Sequence, residues 1–237
     1  MKIKVWFLSL AITFLLLALI LRVSLDHLVI TPEEQRQNRV PAGEIRGTIT
    51  IGQTFTAPYN GLHRIDVMMA TYARQNTQDV IFHLWQSPEE EVDLVEIVVK
   101  ASEIEDNTFR PFIFDPIRDS AGRSYYFFFE SPLSVPDDAV TIWGSFEDRY
   151  PNGQDFRNHR RGAGDLTFLT YYRPGLLERA DILLDRLAEN KPLFWGDRRF
   201  YALLGLLYLS VFAFFWVAVA GQLADHEKDE HHDSDRV

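Results

Sequence analysis

The sequence predicts a mainly β protein: a jelly-roll or Greek-key β-sandwich between two transmembrane helices, with an amphipathic juxtamembrane helix. Three observations predict it. Apolar, uncharged runs lie near each end of the 237-residue chain. Between them, short segments with a hydrophobic period of two follow one another, separated by turn-type sequence. Just ahead of the second apolar run, leucines recur at the spacing of a helix face.

A short N-terminus, 1–4, precedes an apolar run from Val5 to Leu21, interrupted only by Ser9 and Thr13. At about 1.5 Å per residue the run covers roughly 26 Å, enough for a thin bilayer. Lys2 and Lys4 stand before it as in a signal sequence, and no small-x-small cleavage site follows. Segment 5–22 is therefore expected to stay in place as a signal anchor. Segment 23–45, with Pro41 and Gly43 in polar surroundings, reads as a linker.

From 46 to 173 the helical period vanishes. Strands are expected near 48–51, 54–57, 63–71, 79–86, 94–100, 108–114, 124–130, 140–145 and 166–172. Ala57-Pro58-Tyr59-Asn60-Gly61, Ser87-Pro88-Glu89-Glu90-Glu91, Asp119-Ser120-Ala121-Gly122 and Val135-Pro136-Asp137-Asp138 supply turns between them. Short strands at this spacing are the pattern of a two-sheet fold. Alternation assigns the core: Ile65, Val67 and Met69 point inward while Arg64 and Asp66 point outward. Val80, Phe82 and Leu84 form a second inward set, and Val95, Ile97 and Val99 a third.

One segment breaks the alternation. Tyr125, Phe127 and Phe129 occupy one face of their strand, and Tyr126 and Phe128 the other. Ile81, Trp85, Val98, Ile142 and Trp143 also put apolar groups on outward positions. A strand apolar on both faces needs cover on both. Another piece of the chain, a partner protein or a bound ligand would each supply it. Exposed aromatic rings stack sugars, so Trp85, Tyr126, Trp143 and Tyr150 are the candidate ligand-binding residues.

Pro174-Gly175 closes the last strand, and an amphipathic helix is expected within 174–191. Leu176, Leu177, Ala180, Leu183, Leu184 and Leu187 form its apolar stripe, with Glu178, Arg179, Asp181, Asp185 and Arg186 between them. Its acidic content favours packing on the domain or on a partner over a place in the lipid interface. Phe200 to Ala220 carries no charge, and Phe194, Trp195 and Tyr201 stand at its start, where amphipathic rings favour the headgroup layer. A second transmembrane helix is expected at 200–221, followed by a disordered acidic tail, 222–237, with His226, His231 and His232.

Two spans put both termini on one side. Lys2 and Lys4 favour a cytoplasmic N-terminus; Arg198 and Arg199, ahead of the second span, favour the opposite arrangement. The first span usually dominates and the rule weakens over long segments, so a two-pass protein of the cell membrane is expected, with cytoplasmic termini and an extracytoplasmic domain. The net charge of −10 disfavours nucleic acid and anionic lipid surfaces alike, which leaves the two helices as the contact with the bilayer.

With no cysteine, disulfides, thiolate metal sites and cysteine nucleophiles are excluded. Nucleophile-elbow, P-loop, zinc-protease and dinucleotide-binding motifs do not occur. His83, in Asp79-Val80-Ile81-Phe82-His83-Leu84-Trp85, reads as an outward or edge residue. The acids at 89–93, 103–106 and 137–138 lack calcium-loop spacing and read as solvated turns. Arg157, Arg160 and Arg161, beside Asn158 and His159, form a basic knot read as a solvent-facing loop. No catalytic residue, metal ligand or cofactor is expected.

The run Gly52-Gln53-Thr54-Phe55-Thr56-Ala57 with Gly61-Leu62-His63-Arg64-Ile65-Asp66-Val67 resembles a bacterial family of membrane-anchored extracytoplasmic β-sandwich modules of no assigned activity. Asp119-Ser120-Ala121-Gly122-Arg123-Ser124-Tyr125-Tyr126-Phe127, continuing to Glu130-Ser131-Pro132, carries the same resemblance. It covers about 46–173 and implies a fold with a general likeness to jelly-roll carbohydrate-binding modules. The function it implies is non-enzymatic recognition of a protein or a surface glycan; the alternative is a structural or accessory subunit of a larger membrane complex.

Overall fold

A computed structural model describes residues 28–30, 40–212, 214, 215 and 219 of the protein. The chain divides into two units, one ending at Gly175 and one beginning at Leu176. The first expected span, 5–22, and the tail, 222–237, lie outside the described residues.

Period-two alternation produces two antiparallel sheets in the first unit. The seven-stranded sheet contains β1 (Leu28–Ile30), β2 (Val40–Ile45), β4 (Leu62–Ala70), β7 (Thr108–Ile117), β9 (Val140–Ser145), β12 (Asp165–Leu166) and β13 (Phe168–Tyr172). The six-stranded sheet contains β3 (Ile51–Thr56), β5 (Asp79–Trp85), β6 (Val95–Lys100), β8 (Ser124–Glu130), β10 (Asp155–Arg157) and β11 (Arg160–Arg161), in the order β11-β10-β3-β8-β5-β6. From β2 onward the chain changes sheet at each connection, except at the hairpins β5–β6 and β10–β11 and the break between β12 and β13.

The apolar faces meet between the sheets. Ile65, Val67, Met69, Val80, Phe82 and Leu84 are all fully buried there, on the face that alternation predicts. Val99 joins them, with Val95 and Ile97 partly buried against the same cluster. Phe82 stacks on Phe112 of the opposite sheet at 4.7 Å, and Phe127 and Phe129 close around the pair. Each such ring contributes roughly 1.5–3 kcal/mol through removal from water. One polar bridge crosses this core: Gln53 of β3 bonds Asp165 of β12 at 2.9 Å.

β4 organises its sheet. One edge carries β7; the other carries β13 along Leu62–Val67 and then β9 at Met69 and Ala70. Segment 165–172 thus enters as a wedge between β9 and β4, with Thr167 bonded to both through Trp143 and Met68. β7 lies at the sheet edge, which suits its Pro111 and Pro116, since neither can donate to a ladder.

The expected linker 23–45 is corrected by two strands within it. β1 pairs with β13, Leu28 opposite Tyr172, and β2 pairs with β9. Val-Pro-Ala-Gly-Glu-Ile has no alternation because its register shifts on β9 between Pro41 and Gly43, a bulge on an edge strand where proline costs no hydrogen bond. Of the expected strand at 48–51 only Ile51 belongs to a strand, as the first residue of β3; 46–49 form a turn closed by a bridge between Arg46 and Ile49. β10 and β11 had no apolar period to mark them.

In the second unit α1 (Leu176–Ala188) is followed by Asn190, which adopts a positive φ of 59° as a helix-terminating residue does. A 3-10 turn, Leu193–Gly196, follows. Asp197 then caps a helix running from 198 to 212, its carboxylate accepting from the Arg199 N–H at 2.8 Å. Among the described residues no helix is long and apolar enough to cross a membrane; the run 200–221 is described through 212 and at 214, 215 and 219.

Candidate functional site

The outer face of the six-stranded sheet carries a second aromatic cluster, which covers the doubly apolar strand β8. In one cross-strand row Glu96, His83, Phe128, Gly52, Phe156 and Arg161 stand opposite one another from β6 to β11. Gly52 leaves the gap that the rings need: a Cβ there would lie 2.6 Å from Phe128 Cβ and 2.7 Å from Tyr126 Cε2. Tyr126, Phe128 and Phe156 are buried in this cluster and Trp85 packs against them. The cover is therefore the chain's own.

The β10–β11 hairpin completes it. Asn158 and His159 both have positive φ, 50° and 58°, the pattern of a two-residue hairpin turn. Asn158 Oδ1 accepts from the Thr50 N–H at 3.0 Å and fixes the turn. His159 then lies flat on Trp85, centroids 5.7 Å apart at 8°, and edge-on to Phe128. The expected basic loop thus folds an imidazole over the rings and leaves Arg160 and Arg161 exposed at the sheet edge.

His83 sits outward yet is only 8 % exposed. Its ring stacks on Phe128 at 4.5 Å and 9°. Nδ1 lies 2.8 Å from Asp93 Oδ1, which also accepts from Trp85 Nε1 at 2.8 Å. Nε2 faces Glu130 at 3.7 Å and makes no hydrogen bond. Burial holds the Tyr126 hydroxyl far above its ordinary pKa, so the ring stays neutral.

Of the four sequence candidates, the structure brings Trp85 and Tyr126 together, ring centres 6.1 Å apart and planes inclined at 64°. It separates the other two, so the four candidates do not form one surface. Trp143 lies on the seven-stranded sheet, its Nε1–H donating to Asn107 Oδ1 at 3.0 Å and its ring edge-on to Tyr72 at 6.4 Å. Tyr72 is 46 % exposed and carries the Arg74 guanidinium 5.3 Å from its ring centre. Tyr150 turns inward onto Phe168, with its hydroxyl 3.3 Å from the Thr56 carbonyl, and burial raises its pKa. Tyr126 is buried too, so it stacks protein rings rather than ligand.

The acidic turns hold backbone. Asp106 Oδ1 accepts from the N–H groups of Thr71 and Tyr72, and Asp138 from the N–H and hydroxyl of Thr77. A cleft of about 240 Å³ lies beside β2, lined by Val40, Ala42, Ile51, Phe146, Asp155 and Arg157. No family model matches the chain, and no significant match exists among the curated proteins or the solved structures.

Asp93 and His159 were read as parts of solvated loops, and Phe156 was not singled out. Phe156 stands among charged residues with no partner at period two. The usable signal was Asn158-His159 between Asp-Phe-Arg and Arg-Arg, a two-residue turn flanked by short matched segments.

Proposed function

We propose that this protein is a membrane-tethered, non-enzymatic recognition module, a jelly-roll-like sandwich held outside the cytoplasm that presents the Tyr72–Trp143 surface to a glycan or protein partner. The helix 198–212 carries the tether. Leu203, Leu206, Leu207, Tyr208, Leu209 and Val211 are each at least 60 % exposed, around the whole helix circumference. A helix apolar on all sides requires an apolar surrounding, and lipid supplies one.

The strand ends agree with this reading. Leu28 pairs with Tyr172, so the chain enters and leaves the sandwich side by side, an arrangement that suits two anchors in one bilayer. Tyr72 lies just past the far end of β4, a strand whose nine residues span roughly 30 Å from Leu62. The half-exposed Trp143 and exposed Tyr72, with Asn107 and Arg74 beside them, combine ring faces with hydrogen-bonding groups, as sugar recognition uses. The resemblance to membrane-anchored sandwich modules points the same way.

Membranes washed with alkaline carbonate should retain the full chain; its release without detergent sinks the tether. Detergent-purified protein should bind on glycan arrays or capture a membrane partner, and Trp143→Ala should abolish that binding while the fold is kept. Binding unchanged by Trp143→Ala would move recognition elsewhere on the domain.

A further inference from the structure

The His83 pocket has a feature that packing alone leaves unexplained. Asp93 as a carboxylate can only accept, so the short contact at Nδ1 places a proton on that nitrogen. Nε2, at the other side of the ring, is buried, lies 3.7 Å from a second carboxylate, Glu130, and makes no hydrogen bond. Phe128 is stacked flat against the ring, and Trp85 Nε1 donates to the same Asp93 oxygen, which fixes the carboxylate beside it.

The surroundings are anionic. Glu96 stands directly opposite His83 on the adjacent edge strand, and one ligand atom each from His83, Asp93 and Glu96 lies within 4.8 Å of the others. Among the described residues, none of Asp93, Glu96 and Glu130 pairs with a lysine or arginine; Asp93 and Glu130 face His83 alone. Three carboxylates thus surround one buried imidazole.

We propose that His83, Asp93 and Glu96 bind a divalent cation of zinc type on the outer face of the six-stranded sheet. One nitrogen and two carboxylate ligands suit a borderline cation such as zinc, whereas calcium and magnesium favour all-oxygen sites. Ligation through Nδ1 expels the proton there, and the neutral ring carries its proton on Nε2 instead. Nε2–H then points at Glu130, the carboxylate that an outer-shell partner of a metal-bound histidine would be. One cation therefore gives the orphan nitrogen a partner and offsets the charge of its two carboxylate ligands. Glu96 is exposed on an edge strand and has the rotamer freedom to close the site around a small ion, where ligand bonds of about 2.0–2.2 Å are needed.

The test uses the full chain in detergent with His226, His231 and His232 replaced by asparagine, so that the tail cannot take the metal. Zinc titration by calorimetry should show one equivalent bound, and cobalt should report its ligand set by absorption. His83→Gln and Glu96→Gln should each weaken zinc at least about tenfold, and Glu130→Gln by a similar factor if it orients the ring. Glu96 is exposed, so its variant keeps the fold even if His83→Gln disturbs it; Trp143→Ala should leave affinity unchanged. Absence of zinc uptake by the tail-substituted chain, or His83 and Glu96 variants that bind zinc as tightly as that chain does, overturns the proposal.

Discussion

Gln53 and Asp165 join the two sheets through the middle of the core. Gln53 donates through Nε2 to Asp165 Oδ1 at 2.9 Å and accepts from the Leu166 N–H at 2.8 Å. The other carboxylate oxygen takes the N–H groups of Arg149 and Tyr150. Burial raises the Asp165 pKa, and these donors oppose it. Gln53→Leu keeps the volume but strands both the Leu166 N–H and one carboxylate oxygen. It should cost about 2–4 kcal/mol, read as a lower midpoint in denaturant unfolding of the β signal; a change under half a kcal/mol would show that the bridge is incidental.

Gly52 should tolerate nothing larger. A Cβ there would sit 2.5 Å from the Phe127 carbonyl and against both outer rings, so Gly52→Ala should destabilise by roughly 1–3 kcal/mol through overpacking. Gly47 provides the control: its φ is +55° but nothing lies within 4 Å, so Gly47→Ala should cost only the backbone strain, about 1–2 kcal/mol. Trp85 emission should shift in the first variant and stay constant in the second.

His63 should make the domain acid-sensitive. Burial, with help from Arg173 and Arg64, lowers its pKa from 6.5 to about 4. The unfolded chain takes up a proton near pH 6.5 while the folded one does not, so stability falls as pH drops through this window and levels off below pH 4. The full effect is about 3 kcal/mol at most. Thermal midpoints measured between pH 7 and 4 should fall for the wild type. His63→Gln should flatten that part of the curve.

His159→Ala should uncover the second aromatic cluster. Trp85 loses the ring stacked on its face, and its emission should move to longer wavelength. A loss of about 0.5–1.5 kcal/mol is expected from one aromatic pair. An unshifted spectrum would mean that the hairpin does not cover Trp85 in solution.

The sheets were legible because a half-buried strand must alternate. Ile65, Val67 and Met69 were readable as core from spacing alone, and so were Val80, Phe82 and Leu84. β2 was not, since a bulge at Pro41 and Gly43 erases the period, and β10 is too short to show one. Asp93 looked like one acid among several in a turn, and only the path of the β5–β6 hairpin sets it against His83.

By itself the sequence determined which segments are apolar, which alternate and that strand 124–130 needs cover on both faces, because these are local consequences of side-chain order. Tertiary structure decided what provides that cover. Strands from distant parts of the chain set Tyr126 beneath Trp85 and Phe156, sent Tyr150 into the core and put Trp143 on the other sheet. Such placements follow from strand pairing across a hundred residues, to which a periodicity within one strand is blind.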